Sequence, residues 1–598
     1  MSKKDWLVFL GAAIFIALFP LIIHPFKAIS DYVDVMVFAG IFTMVCLGLS
    51  LLMGYAGQIS LAQAAFFGIG AYSSGILTTH FDFNPWAAMP LGALLAGVVA
   101  WLVGKPTLRL KGHYLAMATL GFGVIVEIIL QEEVQWTGGP SGMADIPGLK
   151  IAGFNIINET AWYYLVWTVI FLMILFCLNV IHSRMGRALK AIHEDERAAE
   201  SMGVPTAKYK VQVFVLSAIL ASIGGSFYTH YVCCLNPSSF SLMWSIRFLL
   251  MVMLGGIHSL WGAPLGTVLL TFLGNEWLQV FAEFDILVYG GILLVVMLFL
   301  PGGLVSLFGR RSRLDGMAAA PVPPQSEVPV TRGAEPWMPD TVNEGSAPIL
   351  ELDDVTMHFG GLAALSGIGY QVQPGLIQAV IGPNGAGKTT LFNCISGVLK
   401  PTAGKIVLET RLINGLQPHL IANFGVSRTF QQVALFESMS VLENVMLGRH
   451  PRTRSGFFAT GLRLQRMRRE EKRITEEALN LLDFVGLAQV AHQPAGTLPF
   501  GKQKILEIAR ALATEPRLLL LDEPAGGLNM KETEGLGELI HKVRCQGITV
   551  MLVEHDMSLI MDISDRILVL NFGIQIASGT PQEIRDNPAV IEAYLGEV

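Results

Sequence analysis

Ten apolar stretches, separated by short polar ones, fill the first 300 residues of the chain and decide most of what it can fold into. A helix needs about 20 mostly apolar residues to cross a bilayer. The stretches lie at 6–25, 33–53, 61–79, 87–104, 113–131, 162–182, 211–233, 245–258, 262–282 and 285–303. Residues 162–182 contain no Asp, Glu, Lys or Arg. The 245–258 stretch is too short to span unaided, so a broken or re-entrant segment is expected there. The reading is an N-terminal all-α polytopic membrane domain of about ten spans, with eight or nine left open.

Charge is distributed accordingly. Of the chain's 88 charged residues, 30 fall in residues 1–300, and charged residues make up 15% of the 598 against about 25% in an average soluble protein. This excludes one large soluble enzyme, a disordered chain and a secreted disulfide scaffold. A net charge of −6 gives no electrostatic case for nucleic acid. The six cysteines show no metal-type spacing and read as packing residues.

The basic loops set an orientation. Lys3 and Lys4 precede the first stretch; Lys105, Arg109 and Lys111 follow the fourth; Arg184, Arg187, Lys190, Arg197, Lys208 and Lys210 follow the sixth; Arg310, Arg311 and Arg313 follow the last. With ten spans all four clusters share the cytoplasmic side, and the N-terminus with them. Glu127, inside a stretch, is costly there unless it faces a pore, meets a partner or snorkels. Glycine-rich pieces (Gly54 to Gln58, Gly68 to Ala71, Gly121 to Gly123, Gly255-Gly256) allow close helix approach or unwinding beside a translocation path. Residues 188–203, of mixed charge and closed by Gly203-Val204-Pro205, predict a short helix between two spans.

Residues 309–348 are rich in Pro and lack apolar periodicity, which predicts an extended linker. The expected domains are therefore 1–308 (membrane), 309–348 (linker) and 349–598. In the last, an apolar strand at 376–381 runs into Gly382-Pro383-Asn384-Gly385-Ala386-Gly387-Lys388-Thr389-Thr390 and then an apolar helix. This is a P-loop in its required strand–loop–helix setting. Its backbone N–H groups and helix N-terminus suit phosphate, Lys388 suits the outer phosphates, and the Thr389 hydroxyl suits Mg²⁺. Leu518 to Leu521 is a buried-strand run ending in Asp522-Glu523. Asp522 fits Mg²⁺ and Glu523 an attacking water. The fold expected here is an α/β nucleotide-hydrolysing domain that uses ATP and Mg²⁺.

Here the sequence resembles ATP-binding-cassette (ABC) ATPases over the whole of about 349–598. Arg428-Thr429-Phe430-Gln431-Gln432 looks like the family's Q-loop, which implies that Gln431 senses the γ-phosphate region and serves the metal. Leu498 to Gln503, before a helix at 504–514, sits where the signature belongs, with Gly501 facing a partner's nucleotide. Gly526-Gly527-Leu528-Asn529 looks like the D-loop, His555 like the switch histidine and Phe359 like the aromatic that stacks on adenine. More narrowly, Phe359 to Gly361, the basic insertion around 449–473 and Leu506 to Arg510 resemble the LivG-type ATPase of branched-chain amino-acid importers. The stretches 54–61, 114–120 and 137–142 resemble the LivM-type permease.

The resemblance implies a fused permease and ATPase in the bacterial inner membrane. It also implies a second LivH-like permease and LivF-like ATPase (or a homodimer), and a periplasmic amino-acid-binding protein. Residues 190–205 become the coupling helix. Urea or short amides are alternative cargoes; an exporter half-transporter and an ATP-gated regulatory channel are alternative functions. One departure stands out: Pro499 occupies the place of the signature Ser and offers neither hydroxyl nor N–H. The ATP site completed by this signature is therefore expected to be weakened.

Overall fold

The computed structural model describes residues 3–23, 32–108, 110, 112–151, 154–276, 285–300, 302–306 and 347–595. Arg109, Lys111, the Arg310–Arg313 cluster and linker residues 309–346 lie outside them. The chain divides into two compact units. The first is Met1–Leu189, Ala207–Pro324 and Gly456–Leu464; the second is Lys190–Thr206, Gln325–Ser455 and Gln465–Val598.

Every apolar stretch of the first unit coincides with a helix: α1 Lys3–Ile23, α2 Tyr32–Ser50, α3 Gln63–Thr79, α4 Pro85–Thr107, α5 His113–Glu132, α6 Glu159–Ile181, and, after α7 Arg184–Glu194 and α8 Glu196–Ser201, α9 Thr206–Val232, α10 Leu242–Gly255, α11 Gly262–Glu276 and α12 Asp285–Phe299. Among the described residues six segments are long and apolar enough to cross a membrane: Tyr32–Tyr55, Pro85–Thr107, His113–Glu132, Glu159–Ile181, Thr206–Val232 and Val288–Ser306. Local signals explain the starts. Asn84 caps α4 by accepting from Trp86 N, and Pro85 takes the first turn, where a missing N–H costs nothing.

Glu127 does not need a pore to explain it. Its Oε2 accepts from Leu242 N at 3.2 Å, supplying negative charge to the N-terminal end of α10, whose first N–H groups have no helical partner. Close approach accounts for Gly70, where a Cβ would lie 2.1 Å from Ser222 O of α9, whereas nothing lies within 4 Å of a Cβ at Gly121.

The helix predicted over 188–203 is two helices. Asp195 breaks it, adopting an extended conformation (φ −149°, ψ 107°) and accepting from Arg197 N and Ala198 N as the cap of α8. An Asp in a short charged run satisfies orphan N–H groups better as a cap than as an interior residue. Gly203 then turns the chain at φ 79°. Residues 190–206 group with the second unit, where Glu194 accepts from Ser438 N at 3.2 Å.

The second unit holds β1 Leu350–Phe359, β2 Leu362–Val372, β3 Ile377–Ile381, β4 Ala403–Leu408, β5 Arg411–Leu412, β6 Val426–Arg428, β7 Leu518–Asp522, β8 Thr549–Val553, β9 Arg566–Asn571 and β10 Ile574–Gly579. The main sheet runs β10-β9-β3-β8-β7-β6, and a smaller antiparallel sheet runs β2-β1-β4-β5. Strands β3, β7 and β8 are buried at every position, which is why they read as continuous apolar runs. The helices that follow Lys388 in chain order include α13 Lys388–Ile395, α14 Pro418–Asn423, α15 Val441–Gly448, α16 Phe457–Gly461 (part of the first unit), α17 Gln465–Phe484, α18 Phe500–Leu512 and α19 Met530–Cys545.

Arg449 is buried and pairs with Glu477 and Glu515, each at 2.6 Å.

Candidate functional site: a phosphate cradle with a three-residue carboxylate cluster

Register brings the site together. Val553 of β8 lies opposite Val380 of β3 and opposite Asp522 of β7. The P-loop after β3, Glu523 after β7 and His555 after β8 therefore leave the sheet at one edge, the carboxyl ends of parallel strands, where ligands of open α/β sheets bind.

The loop conformation demands glycine. Gly382 has φ 149° and a Cβ there would lie 2.0 Å from Leu570 O; Gly387 has φ 98° and would meet Ala364 O at 2.5 Å. Lys388 is 7% exposed, and its Nζ donates to Gly382 O at 2.7 Å and Pro383 O at 3.0 Å. It thus lies across the loop it closes. Burial pushes its pKa below the ordinary lysine range, while Glu523 and Asp522 pull it back up. Asn384, Gly385 and Thr389 are exposed, and Thr390 is half-buried.

Asp522 is 1% exposed. Its Oδ2 is paired with Arg428 Nη2 at 2.9 Å, and its Oδ1 is buried with no hydrogen-bond partner among the described residues. Glu523 sits at φ 48°, a left-handed conformation that non-glycine residues adopt at a cost of about 1 kcal/mol or more. Its Oε2 accepts from Gln431 Nε2 at 3.0 Å, and its Oε1 lies 3.1 Å from His555 Nε2. Two residues selected from distant parts of the sequence, Gln431 and His555, thus meet on the Glu523 carboxylate. Phe359, at the end of β1, is 47% exposed, an open aromatic face.

The comparisons with known proteins follow the same division. Residues 32–297 match the family described as branched-chain amino acid transport system / permease component, 365–526 match ABC transporter, and 575–598 match branched-chain amino acid ATP-binding cassette transporter. The branched-chain amino acid transport ATP-binding protein BraF of Pseudomonas aeruginosa is 50% identical over 253 residues, covering 42% of this chain and 99% of BraF. LivG of Escherichia coli K12 is 47% identical over the same shares. LivM, the permease protein of the E. coli system, is 31% identical over 318 residues, covering 49% of this chain and 75% of LivM. The chain belongs to the branched-chain amino-acid ABC transporter family. It is a membrane-integral member that joins a permease and an ATP-binding cassette in one polypeptide.

In this ABC transporter the signature segment differs from the sequence expectation. The helix begins at Phe500, not 504, so Gly501 lies inside its first turn, and Pro499 is the cap residue with no side-chain cap bond. Gly501 faces Glu532 of α19, whose Oε1 would be 2.6 Å from a Cβ. The sequence reading also missed four supporting residues. Lys504, 3% exposed, donates from Nζ to Gln431 O at 3.1 Å and Glu523 O at 3.2 Å. Glu507, 1% exposed, accepts from Phe430 N at 3.0 Å, and burial raises its pKa against Arg510 and the local N–H groups. Glu554, 4% exposed, accepts from Ala525 N at 2.5 Å and His555 N at 3.0 Å, tying the loop after β7 to the one after β8. Arg428 is the partner of Asp522. A signal existed for Lys504 and Glu507: they point the same way along α18, three residues apart.

Proposed function

We propose that the chain drives import of branched-chain amino acids by ATP hydrolysis, with residues 1–308 as permease, 309–348 as linker and 349–598 as motor. The observation that carries this is that the two halves of one polypeptide match two components of the same transport system. The cargo printed in those relatives' names is extended here to this chain.

In the proposed cycle the P-loop N–H groups, Lys388 and the start of α13 hold the phosphates, with Gly382, Asn384, Gly385, Gly387, Thr389 and Thr390 lining them, and Phe359 stacks on the base. The Thr389 hydroxyl, Asp522 and Gln431 would hold Mg²⁺, which takes oxygen ligands and neutralises phosphate charge; the orphaned, buried Asp522 Oδ1 fits that role. Glu523 takes a proton from the attacking water, a contribution of about 10²–10⁴ in rate. His555 and Gln431 fix its orientation, and Lys504 and Glu554 fix theirs. Gly501 completes a site on a second cassette. Residues 190–205 carry the motion to the permease as the coupling segment. The transporter works with partner subunits, taken here as a LivH-like permease and a LivF-like ATPase or a second copy. A periplasmic binding protein delivers the cargo, and the cassette lies on the cytoplasmic side of the bacterial inner membrane.

Growth on limiting leucine, isoleucine or valine tests the reading. Replacing Lys388 by Ala in the chromosomal copy is expected to abolish growth that depends on this transporter. Unchanged uptake in that strain would contradict it.

A further inference from the structure

One feature of the first unit is unexplained by helix packing. Between the π-helical turn that ends α2 (Leu51–Tyr55) and the start of α3, residues 56–62 are non-helical. The break lies inside the bundle, not at its edge. Gln63 Nε2 donates to Ser217 Oγ at 3.0 Å, and Ser217 is near the middle of the 27-residue α9. Thr119 of α5 accepts from Leu61 N at 3.1 Å, and Ser245 of α10 accepts from Ala64 N at 3.1 Å.

Two side chains here carry unspent polarity. Gln58 is 4% exposed and Gln63 1% exposed. Among the described residues neither amide atom of Gln58 has a hydrogen-bond partner, nor has Gln63 Oε1. Each such buried atom has lost its water without gaining a partner. Meanwhile Gly57 is exposed and Ile59 is 44% exposed. Irregular backbone at membrane depth is not tolerated against lipid; it survives where it is covered by protein or lines a water-filled path. Interrupted helices whose N-termini face such a path bind the charged groups of solutes.

We propose that the α2–α3 break is a substrate-contact site of the permease that takes the polar end of a neutral α-amino acid. This rests on the import reading and adds to it where the cargo is held. The Gln58 Nε2 amide and the N-terminal turn of α3 favour the carboxylate. Gln58 Oε1 and Gln63 Oε1 accept from the ammonium. The groups named here carry no formal charge, which matches a zwitterion better than a net anion or cation.

Two measurements on the assembled transporter, in cells, test it. Ile59→Cys is expected to react with a membrane-impermeant, hydrophilic thiol reagent above the background of the Ile59 chain, and leucine is expected to slow that reaction at least threefold. Gln58→Leu is expected to raise the KM for leucine uptake at least tenfold. No reaction at position 59, reaction that leucine does not slow, or a wild-type KM in Gln58→Leu would each overturn the site while leaving wild-type uptake, and so the import reading, intact. If Gln58→Leu fails to reach the membrane, Gln63→Leu in the Ile59→Cys chain, which removes an acceptor proposed for the ammonium, decides: loss of leucine protection supports the site, and retained protection overturns it. Absence of ATP-dependent uptake by the unsubstituted transporter would remove the import reading and the site together.

Discussion

In the proposed cycle Glu523 concentrates the chemistry of the cassette. Its backbone is held at φ 48°, its carboxylate meets Gln431 and His555, and its carbonyl accepts from Lys504. Strain of this kind persists only where neighbours over-determine it. Glu523→Gln is expected to lower ATP turnover by about 10²–10⁴ with nucleotide binding retained, as read by steady-state hydrolysis beside equilibrium binding of a labelled nucleotide. Arg428→Ala leaves Asp522 buried without its partner, and a loss of about 3–5 kcal/mol is expected; denaturant unfolding of the full chain, followed by a fluorophore attached at exposed Cys545 of the cassette, would show it as an earlier transition. Lys388 gives a pH prediction. Burial lowers its pKa in the free protein, and bound triphosphate favours the protonated form. Binding therefore takes up protons at alkaline pH, and ATP affinity falls as pH rises through the lowered pKa. Calorimetry in two buffers of different ionisation enthalpy checks the sign; proton release would contradict it.

Single elements show what the amino-acid order makes legible and what it hides. The P-loop was readable because steric demands at Gly382 and Gly387 leave little choice of residue, and the buried strands because burial on both faces leaves a run of Leu. The apolar helices among the described residues were readable for the same reason, one solvent and one composition, while six of them are long and apolar enough to cross a membrane against the ten spans expected. Helix ends were less so. Asp195 splits the predicted coupling helix, and α18 starts at Phe500, because caps are decided by which residue's extended conformation satisfies the first N–H groups. The role of Glu127 at the start of α10 was hidden, since its partner is 115 residues away. So was that of Glu554, whose two donors belong to separate loops. At Pro499 the α18 cap lacks a side-chain bond. Pro499→Ser supplies a hydroxyl to the first turn, for about 0.5–2 kcal/mol of helix stability, and to the facing nucleotide. Faster ATP turnover than the parent is expected; equal or slower turnover would count against a weakened second site.

At the scale of the whole molecule, the chain's two compact units exchange segments. Residues 190–206 belong with the second unit and 456–464 with the first. In the latter, Asn179 Nδ2, near the end of the apolar helix α6, donates to Gly461 O at 2.9 Å, so a costly polar group in a spanning helix is satisfied by residues far along the chain. Permease and motor in one polypeptide fix their ratio at one to one, and the proposed cycle requires that hydrolysis and solute movement fail together. The direct measurement is accumulation of radiolabelled leucine by proteoliposomes containing the assembled transporter, with ATP on the cassette side and binding protein opposite, for the wild type and Glu523→Gln side by side. Concentrative, ATP-dependent accumulation by the wild type alone is predicted; equal leucine entry in both, or entry that does not depend on ATP, would contradict the coupling of this motor to this permease.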